Sequence, residues 1–311
     1  MRRDQQTGAP QVKLLMVFNP RAAFGRARRL LPLVRSRLEG FAQVDVLLTA
    51  GPGDAVHRVG DATLSAYDGL VAAGGDGTLF EVLNGLYRHQ PGRRPPLGLL
   101  PLGTGNAFAR DLGLEPGDWE KGIALIRAGG LRRVDVGRAQ PARGEGSWPA
   151  FHFLNIIGAG LPVDAMRAAE HIKFVGRHAY SLAALWRALQ LRSYPLRVEL
   201  DGEVIEQDAL FVEVSNTRYT GTHFLIAPAA RLDDGLLDVT LVRRLSRTRL
   251  LRLFPTIYRG AHVQHGEVLT RQASSVVISG PPGLELAPDG EIAGHTPARI
   301  SCLPGDLEIF A

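Results

Sequence analysis

From residue 12 onward, short apolar runs alternate with stretches of helical periodicity: a run at 12–18, a helical stretch around 26–38, a run at 44–48, a helix near 54–64 and a run at 69–73. This is the βαβ rhythm of a parallel, doubly wound sheet. In the helix that follows, Leu79, Val82, Leu83 and Leu86 share one face. The core side therefore turns away from the loop ahead of the helix and leaves that loop at the carboxyl edge of the sheet, where such folds bind ligands. A further strand at 97–100 leads to a helix carrying Phe108, Ala109 and Leu112, and a helix at 118–128 stops at Gly129-Gly130, a good termination signal.

Beyond residue 130 the texture changes. Runs at 134–138, 151–157, 196–200, 204–215, 236–242, 276–278 and 300–303 are separated by turn residues such as Asp201-Gly202, the mark of antiparallel strands in a sandwich. Helices interrupt them near 163–171, 179–191 and 247–258. The expected fold class is α/β: an N-terminal doubly wound domain over 1–130 and a C-terminal antiparallel β-sandwich over 131–311, the last strand being free to return to the first domain.

With 311 residues, 45% of them apolar and 22% charged, the chain has the composition of a globular protein of two domains. Cys302 is the only cysteine, so one chain can build neither a disulfide framework nor a thiolate zinc site, and a cytoplasmic protein is expected. No stretch approaches the roughly 18 apolar residues of a spanning helix, and the first apolar run is too short for a secretory signal. The net charge of +5 is almost wholly arginine, only Lys13, Lys121 and Lys173 being lysine. That balance suits anionic lipid, nucleotide or nucleic acid alike.

Two glycine-rich loops change the picture. Gly74-Gly75-Asp76-Gly77-Thr78 and Leu102-Gly103-Thr104-Gly105-Asn106 each follow an apolar run and precede a helical pattern. Glycines let main-chain amides approach an anion closely, and the helix behind adds unpaired donors, so both loops are built to hold phosphate. Asp76 would repel that phosphate unless a divalent cation or a hydroxyl proton lay between, which points to metal-assisted handling of a nucleotide; the plainer alternative is that it caps the following helix. Familiar motifs fail: Phe108 and Val163 stand where dinucleotide fingerprints need a third glycine, and neither a Walker A run nor a nucleophile elbow occurs. The nine histidines are scattered, and His262 with His265 reads as a surface pair.

These motifs, in this order, resemble the soluble bacterial diacylglycerol and sphingosine kinase type of lipid kinase. Gly74 to Thr78 with Glu81, Asn84 and Gly85 match its nucleotide loop and helix; Asn19-Pro20, Pro101 to Asn106 with Phe108-Ala109-Arg110, Asp234 to Asp238, and Asp289-Gly290-Glu291 match four further blocks. The resemblance implies an α/β domain like that of NAD kinases and phosphofructokinases, and a kinase using ATP and magnesium (Mg2+). ATP would contact Asn19, Pro20, Thr49, the loop Gly74, Gly75, Asp76, Gly77, Thr78, Leu79, then Glu81, Gly103, Thr104, Gly105 and Asn106. A structural magnesium would sit on Asp234 with the main-chain carbonyls of Arg231 and Leu236, and Glu291, beside Asp76 as a second catalytic acid, would accept the proton. Chemistry agrees in type, since a lipid hydroxyl must lose its proton as it attacks phosphorus. Plain acidic turns remain the alternatives at Asp234 and at Glu291. Ala23, Phe80 and Ala107 depart from the family pattern, and Ala107 weakens the assignment of substrate more than that of kinase chemistry.

Access to lipid is expected through basic, amphipathic segments. Leu182, Leu185, Trp186 and Leu189 stand with Arg177, Arg187 and Arg192; Leu250, Leu251, Leu253 and Phe254 stand among Arg243, Arg244, Arg247, Arg249, Arg252 and Arg259. Reversible contact with an anionic membrane surface follows, against the alternative that these stripes are core. Diacylglycerol is the expected acceptor, a homodimer is left open, and nucleic acid is excluded for want of interleaved aromatics. A soluble NAD-kinase-like enzyme and a non-catalytic nucleotide-gated lipid sensor are the rival readings.

Overall fold

The computed structural model describes residues 12–88, 94–142, 149–171, 185–187, 190, 192–221 and 224–311. The chain divides into two units, one of Met1–Gly103, Gly117–Arg132 and Glu308–Ala311, the other of Thr104–Pro116 and Arg133–Leu307. The division at Arg132 lies beside Gly129-Gly130, while the segment 104–116 groups with the second unit.

In chain order the first part runs β1 (Lys13–Phe18), α1 (Leu31–Glu39), β2 (Gln43–Leu48), α2 (Asp54–Gly60), β3 (Gly69–Gly74), α3 (Asp76–Arg88), β4 (Leu97–Pro101), α4 (Ala107–Asp111), which belongs to the second unit, and α5 (Trp119–Ala128). The strands of the first unit are parallel: β1 pairs with β2 and β3, and β3 with β4. Leu14, Met16 and Phe18 pack on one face against Val34 and Leu38 of α1 and Ile123 and Ile126 of α5. The period of two sends Leu15 and Val17 to the opposite face, and α2 and α3 lie against each other with Gly85 set on Val59. The helix expected over 26–38 begins instead as a 3-10 turn at Arg26–Leu30, and the one over 54–64 stops at Gly60 before a separate turn at Leu64–Ala66.

The second unit adds β5 (Leu131–Pro141), β6 (Phe151–Phe153), β7 (Ile156–Gly160), α6 (Leu161–His171), β8 (Tyr194–Leu200), β9 (Glu203–Ser215), β10 (Tyr219–Thr220), β11 (Phe224–Leu225), β12 (Leu237–Arg243), α7 (Arg247–Leu253), β13 (Val268–Ala273), β14 (Ser275–Ser279), β15 (Leu286–Pro288) and β16 (Ala298–Phe310), the first two residues of β5 and the last three of β16 falling in the first unit. Its long strand β9 changes partner: residues up to Ala209 pair with β8, and Phe211 to Ser215 pair with β7, all antiparallel. Composition explains the change. The first half alternates exposed and half-buried positions, whereas its last seven residues are buried without interruption, as befits a strand covered on both faces. α7 and a 3-10 turn, Phe254–Arg259, cover this second half through Leu250, Leu253 and Ile257.

The single strand expected over 151–157 is broken between β6 and β7, because the amides of Leu154, Asn155 and Ile156 all donate to one carboxylate, that of Asp289, at 2.8, 2.8 and 3.0 Å. The helix expected over 179–191 lies outside the described residues except at 185–187 and 190. The short strands β10, β11 and β15 and the strand β13 carry too little alternation to have been expected.

Candidate functional site

In the first unit, the candidate residues converge where β1 and β3 end. Asn19, immediately after β1, donates its main-chain amide to Ala73 at 2.9 Å and its side-chain amide to Thr78 Oγ1 at 2.9 Å; its own Oδ1 accepts from Arg21 N at 2.9 Å. The step from strand to turn is thereby locked to the first turn of α3. Thr49 follows β2 and is buried, its amide donating to Phe18 at 3.0 Å. Gly74 is the buried end of β3, and a Cβ there would strike Thr78. Gly75, Asp76 and Gly77 are half-exposed, Asp76 being the first residue of α3. Leu79 donates to Gly75 at 3.0 Å and seals the turn.

The second glycine loop starts against the first. The amides of Leu102 and Gly103 both donate to the Gly74 carbonyl, at 2.9 and 3.0 Å, and a Cβ on Gly75 would lie 3.3 Å from the Gly103 Cα. Two amide-rich backbones thus run side by side with no room for side chains between them. Glu81 places one carboxylate oxygen on Gly53 N at 2.7 Å and the other on Ala55 N at 3.1 Å, satisfying orphan donors at the start of α2; it ties α3 to α2. Pro20 is half-buried in the turn after Asn19.

In the second unit, Thr104 is exposed and Asn106 is buried in the left-handed conformation, φ 55°, at the head of α4. The Asp289-Gly290-Glu291 turn divides its two acids. Asp289 is buried, has φ 44° and takes the three amides named above; Glu291 sits exposed at the tip, its amide donating to Pro288 at 2.7 Å. A plain turn with two solvated acids does not describe this arrangement.

The loop holding Arg231, Asp234 and Leu236 is pinned from beneath by Asp135, whose buried carboxylate accepts from Gly235 N and Gly305 N, each at 2.7 Å. Asp234 accepts from Leu236 N at 3.1 Å, and Arg231 pairs with Asp233 at 3.6 Å. Burial, helped by the Asp234 charge, pushes the neighbouring Asp238 carboxyl up to about 6 against a hydrogen bond from Gln272. A carboxylate and main-chain oxygens on a bent, anchored loop are the donor set of a hard cation. Among the described residues no cluster of three or more His, Cys, Asp or Glu side chains is placed to hold a metal, so only such a mixed set could serve.

Sequence reasoning missed Asp135 and Asn216. Asn216 Nδ2 donates to the carbonyls of Asp135 and Leu154, both at 2.9 Å, so one buried amide joins the base of the Asp234 loop to the segment held by Asp289. A lone Asp within a strand and an Asn at a strand end carry no periodic signal; their polarity inside apolar runs was the available hint.

The basic segment near α7 is mixed. Leu250 and Leu253 are core, while Leu251 and Tyr258 are 51% and 41% exposed among the exposed Arg247, Arg249, Arg252 and Arg259. No helix among the described residues is long and apolar enough to cross a membrane.

Comparison with known proteins covers nearly the whole chain. The family model described as diacylglycerol kinase catalytic domain matches residues 13–139, and the one described as YegS C-terminal NAD kinase beta sandwich-like domain matches residues 155–311. A Mycobacterium tuberculosis protein named diacylglycerol kinase is 35% identical over 302 residues, covering 96% of this chain and 94% of the relative. A Staphylococcus carnosus protein of the same name is 31% identical over 299 residues, covering 95% and 94%. Among solved structures, a diacylglycerol kinase from Bacillus anthracis matches with a TM-score of 0.78 at 30% identity over 96% of each chain. Yeast NADH kinase complexed with NADH matches with a TM-score of 0.55 at 14% identity over 96% of this chain and 82% of that one, a likeness of fold alone. The expected fold class, an NAD-kinase-like α/β domain followed by an antiparallel β-sandwich, stands.

Proposed function

The chain belongs to the diacylglycerol kinase family, and on that premise we propose that this kinase transfers the γ-phosphoryl group of ATP to a lipid hydroxyl, with diacylglycerol as the acceptor. The observation that carries the reading is the contact of the two glycine loops: Gly74 receives Leu102 and Gly103, and Gly75 faces Gly103 without side chains between. A backbone surface free of side chains at Gly75 and Gly103, beside the N-terminus of α3, suits a polyphosphate. In this proposal Asn19, Thr49, the segment Gly75 to Leu79 and Thr104 hold ATP, Asp76 organises its phosphates with Mg2+, and Glu291 takes the proton of the acceptor hydroxyl. Phosphoryl transfer needs little covalent help from protein, so positioning and charge dominate, with general-base assistance contributing about 10² to 10⁴ in rate.

Asp234 with the carbonyls of Arg231 and Leu236 would hold a structural Mg2+, which supplies charge to brace the loop that Asp135 already pins. The exposed Leu251 and Tyr258 among arginines support reversible docking on an anionic, cytoplasm-facing membrane surface, each near-surface arginine contributing about 1 kcal/mol.

Labelled ATP incubated with dispersed diacylglycerol, sphingoid base, ceramide and phosphatidylglycerol, and with NAD as the soluble rival, tests the reading. Label is expected in phosphatidic acid; label in NAD alone, or in no product, would overturn it. Sedimentation with anionic liposomes is expected at low salt and lost at high salt, and absence of binding at low salt ends the membrane proposal.

A further inference from the structure

Within the first unit, the turn that follows β1 has a strained backbone. Ala23 and Phe24 have φ of 49° and 59°, and Gly25 follows at 81°, so three consecutive residues are left-handed. Glycine enters that region freely, whereas an L side chain does so at a cost. The other described residues that share it without being glycine are Asn106, Asp201 and Asp289, types whose short polar side chains ease the conformation. Ala23 and Phe24 have no such relief. The turn is nonetheless firmly made: Gly25 N donates to the Arg21 carbonyl at 3.0 Å and Ala27 N to that of Ala22 at 3.3 Å, while Ala22 and Ala27 are buried in one cluster with Leu14, Met16 and Phe18. With both feet packed, the tip holds the Phe24 ring out at 69% exposure.

One exposed aromatic is ordinary by itself. Here it coincides with strain, and neither adds to the stability of the folded chain; strain of this kind gathers at turns that clamp ligands.

Position indicates which ligand. β1 lies between β2 and β3, all three parallel, so the turns after them sit side by side at one edge of the sheet: 74–78 after β3, 19–25 after β1 and 49–53 after β2. Asn19 joins the first two through its bond to Thr78 Oγ1 at 2.9 Å. Arg21 joins the last two, since a Cβ on Gly51 would lie 3.7 Å from the Arg21 Nη1. From the glycine loop to Thr49 is two strand spacings, about 10 Å, the span of a nucleotide from its phosphates to its base. A nucleotide with phosphates on 74–78 that lies along this edge toward Thr49 brings its base past the middle turn, whose tip is Phe24.

We infer that Phe24 stacks on the purine base of the bound nucleotide. This rests on the kinase reading and adds to it the residue that grips the base rather than the phosphates. Every base offers a flat π face, so the stack selects a nucleotide over bare polyphosphate without choosing between adenine and guanine.

Two experiments decide it. In the first, Phe24→Trp puts a fluorophore at the tip; ATP and ADP are expected to quench it beyond the change seen in the wild type, which carries only Trp119, Trp148 and Trp186, while inorganic tripolyphosphate leaves it unchanged. Quenching by tripolyphosphate as strong as by ATP, no added quenching, or a blue shift with anionic vesicles and no response to ATP, overturns the proposal. In the second, Phe24→Gly frees the left-handed position and removes the ring, so a higher denaturant midpoint is expected. The same variant is expected to bind ATP about tenfold more weakly, the low end of a base–aromatic stack, and tripolyphosphate as well as the wild type does. A lower midpoint, or ATP and tripolyphosphate weakened alike, overturns it. A wild type that binds no ATP sinks the kinase reading itself; a wild type that binds ATP, with Phe24→Gly binding it equally well, sinks only the stack.

Discussion

The loop from Gly74 to Thr78 and the turn from Asp289 to Glu291 both present an acid on a bend, and they are built by opposite means. The first is made by subtraction: Gly74 has no Cβ because Thr78 occupies its place, and Gly75 has none because Gly103 lies against it. The second is made by an added side chain: the Asp289 carboxylate gathers three amides from 154–156 and so fixes the turn from which Glu291 projects. Where backbone is proposed to hold the ligand, side chains are absent; where a side chain is proposed to act, another side chain holds its turn.

The sharpest way to break this comparison is to exchange the fates of the two acids in one turn. Asp289→Ala leaves three buried amides unanswered and is expected to destabilise the second unit by about 3–5 kcal/mol, read as a lower denaturant midpoint. Glu291→Gln is expected to leave that midpoint unchanged while kcat falls about 10²-fold or more, the worth of a general base. If both variants unfold, or both fold and lose transfer alike, the division of labour is wrong.

Glu213 extends the comparison to a buried acid whose Oε2 has no hydrogen-bond partner. Its carboxyl is raised from 4.5 to about 8 by burial alone, so the folded protein keeps a proton that the unfolded chain releases between those values. Stability attributable to this group therefore falls as pH rises through that window. Glu213→Gln, which cannot ionise, is expected to gain stability relative to the wild type between pH 5 and pH 8, measured as the difference in denaturation midpoints; a difference independent of pH would refute the buried, neutral acid.

On the first loop the corresponding change is Gly74→Ala. Its methyl group meets Thr78, which is buried and held by Asn19, so about 1–3 kcal/mol of overpacking is expected, together with a higher KM for ATP. A variant with wild-type stability would show that the strand end has slack.

Much of this was legible in the sequence, for reasons that differ by element. β1, β3 and α3 were readable because their apolar positions follow a single period, and the glycine loop because missing side chains are visible as letters. The break in 151–157 was not, since Phe151 to Ile157 reads as one run and only the carboxylate of Asp289, more than 130 residues away, removes its ladder partners. Asp135 and Asn216 escaped for the same cause: each acts through contacts far along the chain. Glu213 was hidden inside an apolar strand, where a single acid looks like the polar side of an alternation until both faces prove to be buried.

The smallest expected effect tests the joint between strand end and helix start. Asn19 donates to Thr78 Oγ1 and accepts from Arg21 N, each at 2.9 Å, so it couples the turn after β1 to the turn that opens α3. Asn19→Ala removes both bonds at a half-buried site where water can replace them, and about 1 kcal/mol of stability is expected to be lost. The same change is expected to raise KM for ATP more than it lowers kcat, because Asn19 orders the loop proposed to hold phosphate and is assigned no part in proton transfer. A fall in kcat with KM unchanged would instead place Asn19 among the groups that act only in the transition state, and would move the boundary between holding and reacting from the second unit into the first.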